Sequence, residues 1–563
     1  MERKRSPSEP TLTGRSASVV ALAGSGGLGF FLVIFGTLIL DPRNITWLMV
    51  NDPAVHYLGF EFFRRSPWTF PIGLIPSFGV PLGTSIVFTD SIPLLAIPFK
   101  ALSGWLPESF QYFGLWLALC YVLTAAVSAR ILLRLGLARG PALAGAMLLL
   151  TFPGMAMRTY GHEALVAHWL LLAAFDLFLA GGSASFWVLL TLASLVHAYW
   201  LPMVLPVAIV AWYRRPTPVF RHAGGLGLLA LSMAAAGYFS LPAGKAALGG
   251  FGYFNANLLT FVDPMNWTDY LKIFRYPTAV SAEWSRLLPA ARYPWGGQYE
   301  GFAYLGCGIL ATIVLAAVLR FRSLRGPVAG PLRALLGVSL LLFVWALAGR
   351  VAFGPRVLVD LQLPAALAPL TGIFRSTGRF VWPLAWVVSI VAIREVARRF
   401  TPARAVVVLA AMLALQGWDL GAKWAEFGRR FEPGGLGSLP EYSGPGWTAA
   451  AFASRLVVLP SEATNDDWVK PALYAVRHGQ STNFVPLARS DDSKRAAEEA
   501  VERRALLSGL LRPDTMYLIR DSALAKAVPE VPTLRRIEQD GILFVFSRPG
   551  RPRGGQSGNG EPK

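Results

Sequence analysis

Acidic, imidazole and guanidinium side chains recur in this chain beside long apolar runs, where an ionisable group is costly unless it faces a partner or a polar cavity. In NDPAVHYLGFEFFRRSPW, residues 51–68, Asp52 and His56 stand at helical spacing with Tyr57, Phe60 and Phe63. That pattern predicts an interfacial helix lying on the membrane with its polar groups turned toward a cavity. A carboxylate held there can act as general base on a hydroxyl, or it can simply be an N-cap before Pro53. PLGTSIVFTDSIPLLAIPFK sets Asp90 between a β-like run and a Pro-broken apolar helix. There it is either an N-cap together with Ser91 or a member of the same site.

Three further segments add to this set. MRTYGHEALVAHWLLL, residues 157–172, puts His162 and Glu163 at the mouth of a span and His168 inside it. Histidines at that separation do not share a helix face, which disfavours zinc and leaves hydrogen bonding to a polar ligand against a plain interfacial anchor. His197, in HAYWLP, adds a polar group at the same level. ARYPWGGQYEGFAYLG, residues 291–306, joins Trp295, Tyr299 and Tyr304 to Gln298 and Glu300. That mixture suits the apolar faces and hydroxyls of a sugar ring, and a Gly-rich turn with belt aromatics would look the same. GIFRSTGRFVWP, residues 372–383, carries Arg375 and Arg379 beside Ser376, Thr377 and Gly378 at a helix start. Guanidinium forks, hydroxyls and free backbone N–H groups favour an anion, phosphate above all, over a snorkelling pair.

The elements that must position these residues are membrane helices. The chain has 563 residues, 54% hydrophobic and 15% charged, with a mean hydropathy of +0.46, which excludes an ordinary soluble protein. Eleven apolar segments of spanning character are expected, near 19–40, 109–129, 140–157, 163–181, 184–199, 200–213, 223–243, 301–320, 333–350, 380–396 and 403–419. With the N-terminus inside, the clusters Arg130/Arg134/Arg139, Arg214/Arg215/Arg221, Arg320/Arg322/Arg325/Arg333 and Arg394/Arg398/Arg399/Arg404 all fall on the cytoplasmic side, as the positive-inside rule requires. The motifs then face outward, on loops 41–109, 158–162, 244–300 and 351–379. Arg375 and Arg379 oppose the rule, which marks them as functional.

The net charge of +19 comes from 52 basic and 33 acidic residues, of which residues 420–563 hold 20 and 17. The remainder, 32 basic against 16 acidic, belongs mainly to loops between spans, so the expected partner is a membrane leaflet and not nucleic acid. Cys120 and Cys307 lie in apolar runs and support neither a disulfide framework nor a thiolate metal site. The expected organisation is a basic cytoplasmic tail 1–18, a transmembrane domain 19–419, an extracytoplasmic α/β domain 420–547 built on RLVVLP, MYLIR and GILFVF, and a disordered tail 548–563. The N-terminus reads as tail plus first span and not as a removed signal peptide. No internal repeat is visible.

Taken in order, NDPAVHYLGFEFFR, FTDSIPLLAIPFK, GHEALVAHWLLL, GQYEGFAYLG and FRSTGRFVWP resemble a bacterial family of polytopic proteins in the GT-C glycosyltransferase superfamily, over most of residues 40–400. The resemblance implies an α-helical polytopic enzyme of the inner membrane, GT-C-like, taking a sugar from a polyprenyl-phosphate carrier at its outer face and passing it to a cell-envelope glycan or other extracytoplasmic acceptor. The acid that such proteins carry in the first outer loop corresponds to Asp52, and a second acidic position to Glu163. Paired acids of the oligosaccharyltransferase kind are missing, since Asp52 has Asn51 as its neighbour, so no metal ligand is assigned and a divalent cation stays open as a cofactor. On this reading Asp52 is the base, Arg375 and Arg379 hold the lipid phosphate, and His56, Asp90, His162, Glu163, His168, His197, Gln298 and Glu300 contact substrate. The rival classes are a transporter or flippase, which would spread polar residues through the spans, a polymerase or ligase using the same donors, and a scaffold.

Overall fold

The computed structural model describes residues 14–240, 250–267, 270, 282–322, 330–361, 368–432, 439–463, 466–489 and 491–547. The expected tail 548–563 and parts of the loop 244–300 lie outside them. Helix forms at each of the eleven apolar segments: Gly14–Phe35, Phe113–Arg134, Arg139–Leu150 with Pro153–Ala156, Trp169–Ala180, Ser185–Val196, Trp200–Arg214, Val219–Ala236, Cys307–Arg322, Gly330–Ala346, Trp382–Ala397 and Pro402–Arg430. Six of the described helices are long and apolar enough to cross a membrane, or seven if the pair Arg139–Leu150 and Pro153–Thr159, bent by 45°, is one span. The other four have 10–17 residues. At 1.5 Å per residue a helix of twelve residues reaches roughly 18 Å, short of a hydrocarbon core of about 30 Å. The protein is a multi-pass membrane protein, mostly helical, with a small sheet domain after the last span.

Helices approach closely where side chains are small. An added Cβ at Gly27 would stand 2.7 Å from the carbonyl oxygen of Tyr121, so the first helix lies backbone to backbone on Phe113–Arg134, as small residues permit between membrane helices. Gly27→Leu is expected to separate these helices and to lower thermal stability, read by unfolding in detergent.

Three expectations about local structure are corrected. Helix Asn51–Arg65 does not lie on a surface: Pro53, Ala54 and every residue from His56 to Arg64 are buried, because its aromatic residues pack into the protein and Arg64 is paired with Glu61 at 3.1 Å. Asp52 is not its N-cap, a position held by Val50; it sits in the first turn, where a carboxylate still favours the helix dipole. Asp90 is not a cap either, since Ile92 holds that position for helix Pro93–Ala101. Both acids are left available for other contacts.

After the last span the three runs read as strands join two others, Ser481–Thr482 and Leu534–Gln539, in a five-stranded sheet. Its order is Ser481–Thr482, Arg455–Leu459, Thr515–Ile519, Ile542–Ser547, Leu534–Gln539. The first two pairings are parallel and the last two antiparallel. The run SKRAAEEAVERRALLS lies in helix Asp492–Ser508, capped by the Asp491 side chain and closed by Gly509 at φ 71°, a left-handed residue of the kind that ends helices.

Candidate functional site

The structure gathers nearly all the predicted ionisable residues at connections between helices. Asp52 stands in the first turn of its helix and His56 one turn on, so both face the same side. Asp90 reaches them from a strained connection. Its φ is 52° and that of Ile92 is 53°, a conformation rare for a β-branched residue and typically tolerated where surrounding contacts impose it. Here those contacts run through Ser91, whose hydroxyl donates to the His56 carbonyl at 2.6 Å, while the Tyr112 hydroxyl donates to the Ser91 carbonyl.

Asp90 is the hub of one half of the site. His197 Nε2 lies 3.3 Å from its Oδ1 and His56 Nε2 3.9 Å from its Oδ2. The Tyr199 N–H donates to His197 Nδ1 at 3.1 Å, which fixes the tautomer with the proton on Nε2, facing Asp90. Burial works against the Asp90 carboxylate, but His197, donating from Nε2, and then His56 hold its pKa well below the usual range. His56 Nδ1 lies 2.5 Å from Glu163 Oε2. Burial opposes charge on His56, and Glu163, then Asp90 and Asp52, outweigh it and raise its pKa.

His162 Nε2 lies 3.4 Å from Asp52 Oδ2, and His162 Nδ1 is buried without a hydrogen-bond partner. Burial, reinforced by Arg379, keeps this imidazole neutral. About half of the Asp52 side chain is exposed (52%), and the protein packed around its other side removes part of the water from the carboxyl. That desolvation, opposed by His56 and reinforced by Asp90, Glu300 and Glu163, pushes its pKa up to about 6. A carboxylate tuned toward neutrality beside an open approach suits proton abstraction.

The other half of the site is an ion triad. Arg379 grips Glu300 with two hydrogen bonds, Nε to Oε2 at 2.8 Å and Nη2 to Oε1 at 2.7 Å. Arg158 adds Nη1 at 2.9 Å from Oε2 and donates from Nη2 to the Glu300 carbonyl at 2.9 Å. Burial raises a carboxyl's pKa, but Arg379 and Arg158 overcome it and hold Glu300 ionised. Two guanidinium groups on one carboxylate leave one net positive charge. Gly378 allows this contact, because a Cβ there would stand 2.5 Å from the Gly301 nitrogen. Gly378→Ala is expected to push the Arg379 segment off Glu300 and lower thermal stability, measurable by differential scanning fluorimetry.

Arg158 was absent from the sequence-derived set. The signal existed, since it lies on the same expected outer side that singled out Arg375 and Arg379. Three predicted residues stand apart from the cluster. His168 is fully buried and accepts from Trp386 Nε1 at 2.9 Å within a box of Phe152, Trp200, Trp382 and Trp386. Gln298 is buried between Asn255 and Asn257, donating to one and accepting from the other. Arg375 is exposed, its guanidinium 5.9 Å from the centre of the Phe254 ring. Of the aromatics proposed for sugar binding, Tyr304 donates to Asp419 at 2.7 Å and Trp295 lies under Arg350.

His56, Asp90 and His162 are the described residues that could hold a metal ion, with one ligand atom of each within 4.8 Å of the others. At bonds near 2.1 Å the ligand atoms of a tetrahedral ion stand about 3.4 Å apart, so a pair near the 4.8 Å limit must close by about 1 Å to share one. Glu163 would orient the His56 ring, and such partners raise affinity by about 10–100-fold. If the trio holds Zn²⁺ or Mn²⁺, Glu163→Gln is expected to weaken that binding by the same factor in isothermal titration calorimetry.

Fold and site together define a multi-pass membrane protein with a carboxylate–histidine centre flanked by a cationic triad, set at the ends of its helices. The chain belongs to the family described as "Domain of unknown function (DUF6311)", whose model matches residues 24–421, and its residues 447–547 match the "DUF6311 C-terminal domain". No curated protein matches it. Among solved structures it is similar to the arabinofuranosyltransferase AftD from Mycobacteria, with 19% identity and a TM-score of 0.46, covering 94% of this chain and 39% of that one. It is also similar to an oligosaccharyltransferase of Archaeoglobus fulgidus, with 13% identity and a TM-score of 0.39, covering 89% of this chain and 69% of that one. The chain thus spans well under half the length of the arabinofuranosyltransferase. At these scores the likeness is one of general outline.

Proposed function

We propose that this protein is an integral-membrane glycosyltransferase that moves a sugar from a polyprenyl-phosphate-linked donor to an acceptor on the outer face of the inner membrane. The observation that carries the reading is the pairing of a half-exposed carboxylate of raised pKa, Asp52, with the net positive triad Arg158–Glu300–Arg379. Asp52 takes the proton of an acceptor hydroxyl. The hydroxyl oxygen bonds to the anomeric carbon as the bond from that carbon to the phosphate oxygen breaks, and its electrons pass to the leaving phosphate. An inverting displacement is the simplest outcome. The triad and Arg375 stabilise the charge that develops on the phosphate, and His162 and Asp90 orient hydroxyls.

The test is turnover with a synthetic prenyl-phosphate sugar, following release of free prenyl phosphate and transfer of label to acceptor. Movement of intact donor across the bilayer without cleavage would favour a flippase and sink the proposal. Arg375→Ala is expected to raise the donor KM about tenfold, the worth of one hydrogen bond to a charged group, with little change in kcat. Unaltered donor KM would remove Arg375 from the phosphate site.

A further inference from the structure

The domain after the last span is folded onto the segments that carry both site acids. The Asp466 carboxylate accepts the N–H of Asn51 at 2.8 Å, across 415 residues of sequence. Asn51 is the first residue of the Asp52 helix and is held at φ 50°. Val50, at the N-cap position, makes no side-chain hydrogen bond to this helix end. Asp466 thus accepts, from the domain after the last span, one of the backbone donors at the start of this helix.

Further contacts hold the chain that leads to Asp90. The Thr482 carbonyl accepts from the N–H groups of Gly79 at 2.9 Å and Val80 at 3.0 Å, and the Thr482 N–H donates to the Ser77 carbonyl at 3.0 Å. Phe78 thereby pairs with the edge of the C-terminal sheet, and its ring packs between Phe62 and Trp468. Arg489 lies 4.9 Å from the centre of the Phe88 ring, two residues before Asp90.

From this geometry we infer that the C-terminal domain is a positioning element of the site, with Asp466 setting the start of the Asp52 helix. The inference rests on Asp52 being the base. Asp466 touches no reacting atom in this scheme; it acts through Asn51. A base displaced by about 1 Å loses up to 10²-fold in rate, so the role belongs to kcat and not to donor binding.

The test uses the full-length protein in detergent or nanodiscs, with Asp466→Ala and Asp466→Asn. Asparagine keeps an oxygen that can accept from Asn51, whereas alanine does not. Asp466→Ala is expected to speed hydrogen–deuterium exchange in the peptide covering residues 49–58 and to lower kcat about tenfold with KM unchanged; Asp466→Asn is expected to restore both. Unchanged exchange in Asp466→Ala, faster exchange with undiminished kcat, or equal damage by both variants would each overturn the inference. Normal turnover by Asp52→Asn would instead overturn the functional reading, and the exchange result would stand apart from it.

Discussion

Asp52→Asn is expected to lower transfer about 10²–10⁴-fold, the usual contribution of a positioned general base, while the protein remains folded and membrane-inserted. The substitution keeps the side chain's shape and its oxygen toward His162, 3.4 Å away in the wild type, and removes only the ability to take a proton. The wild-type enzyme should show the matching pH dependence. Asp52 must be ionised to act and its pKa is pushed up to about 6, so kcat/KM should be flat above that value and fall about tenfold per pH unit below it. In Asp52→Asn that acidic limb should vanish along with the activity. Turnover near the wild-type rate, or an acidic limb that survives the substitution, would remove Asp52 from the base role.

Glu300→Ala should be the most destabilising single change. Its carboxylate is the shared partner of Arg158 and Arg379, both almost wholly buried. Removing it leaves two like charges close together without their shared carboxylate, and breaking a buried pair from one side costs about 3–5 kcal/mol. The expected result is a large drop in thermal midpoint or a failure to accumulate in the membrane. Glu300→Gln keeps the shape and one acceptor oxygen and should fall between wild type and alanine. If Glu300→Ala melts with wild type, the triad is not what joins these two connections. Arg375→Ala, at an exposed position, should leave the midpoint unchanged, so stability separates the two outer arginines of the FRSTGR motif.

That separation was not legible in the sequence. Arg375 and Arg379 look equivalent there, four residues apart in a short stretch on the expected outer side. The difference arises because the tight approach at Gly378 brings Arg379 onto Glu300 and leaves Arg375 pointing outward. His168 misled for a related reason. Burial of an imidazole inside an apolar run suggests a polar cavity, but Trp386 supplies a hydrogen-bond donor from 218 residues away. The helices themselves were far more legible, because apolar length and turn-forming breaks are local properties. How many cross the membrane depends on helix lengths that breaks at Pro153 and His197 cut short.

The sequence by itself determined that this is a multi-pass membrane protein with a sheet-bearing domain behind the last span, and that Asp52, His56, Asp90, His162, Glu163, His197 and Glu300 needed partners. Periodicity, composition and the energetic cost of an ionisable group beside apolar chain suffice for that, since each acts over a few neighbouring residues. Only the tertiary structure decided who the partners are: Glu163 for His56, His197 for Asp90, Arg158 with Arg379 for Glu300, and Asp466 for the helix that carries Asp52. Those pairings join residues far apart in the chain, and packing alone brings them within hydrogen-bond reach.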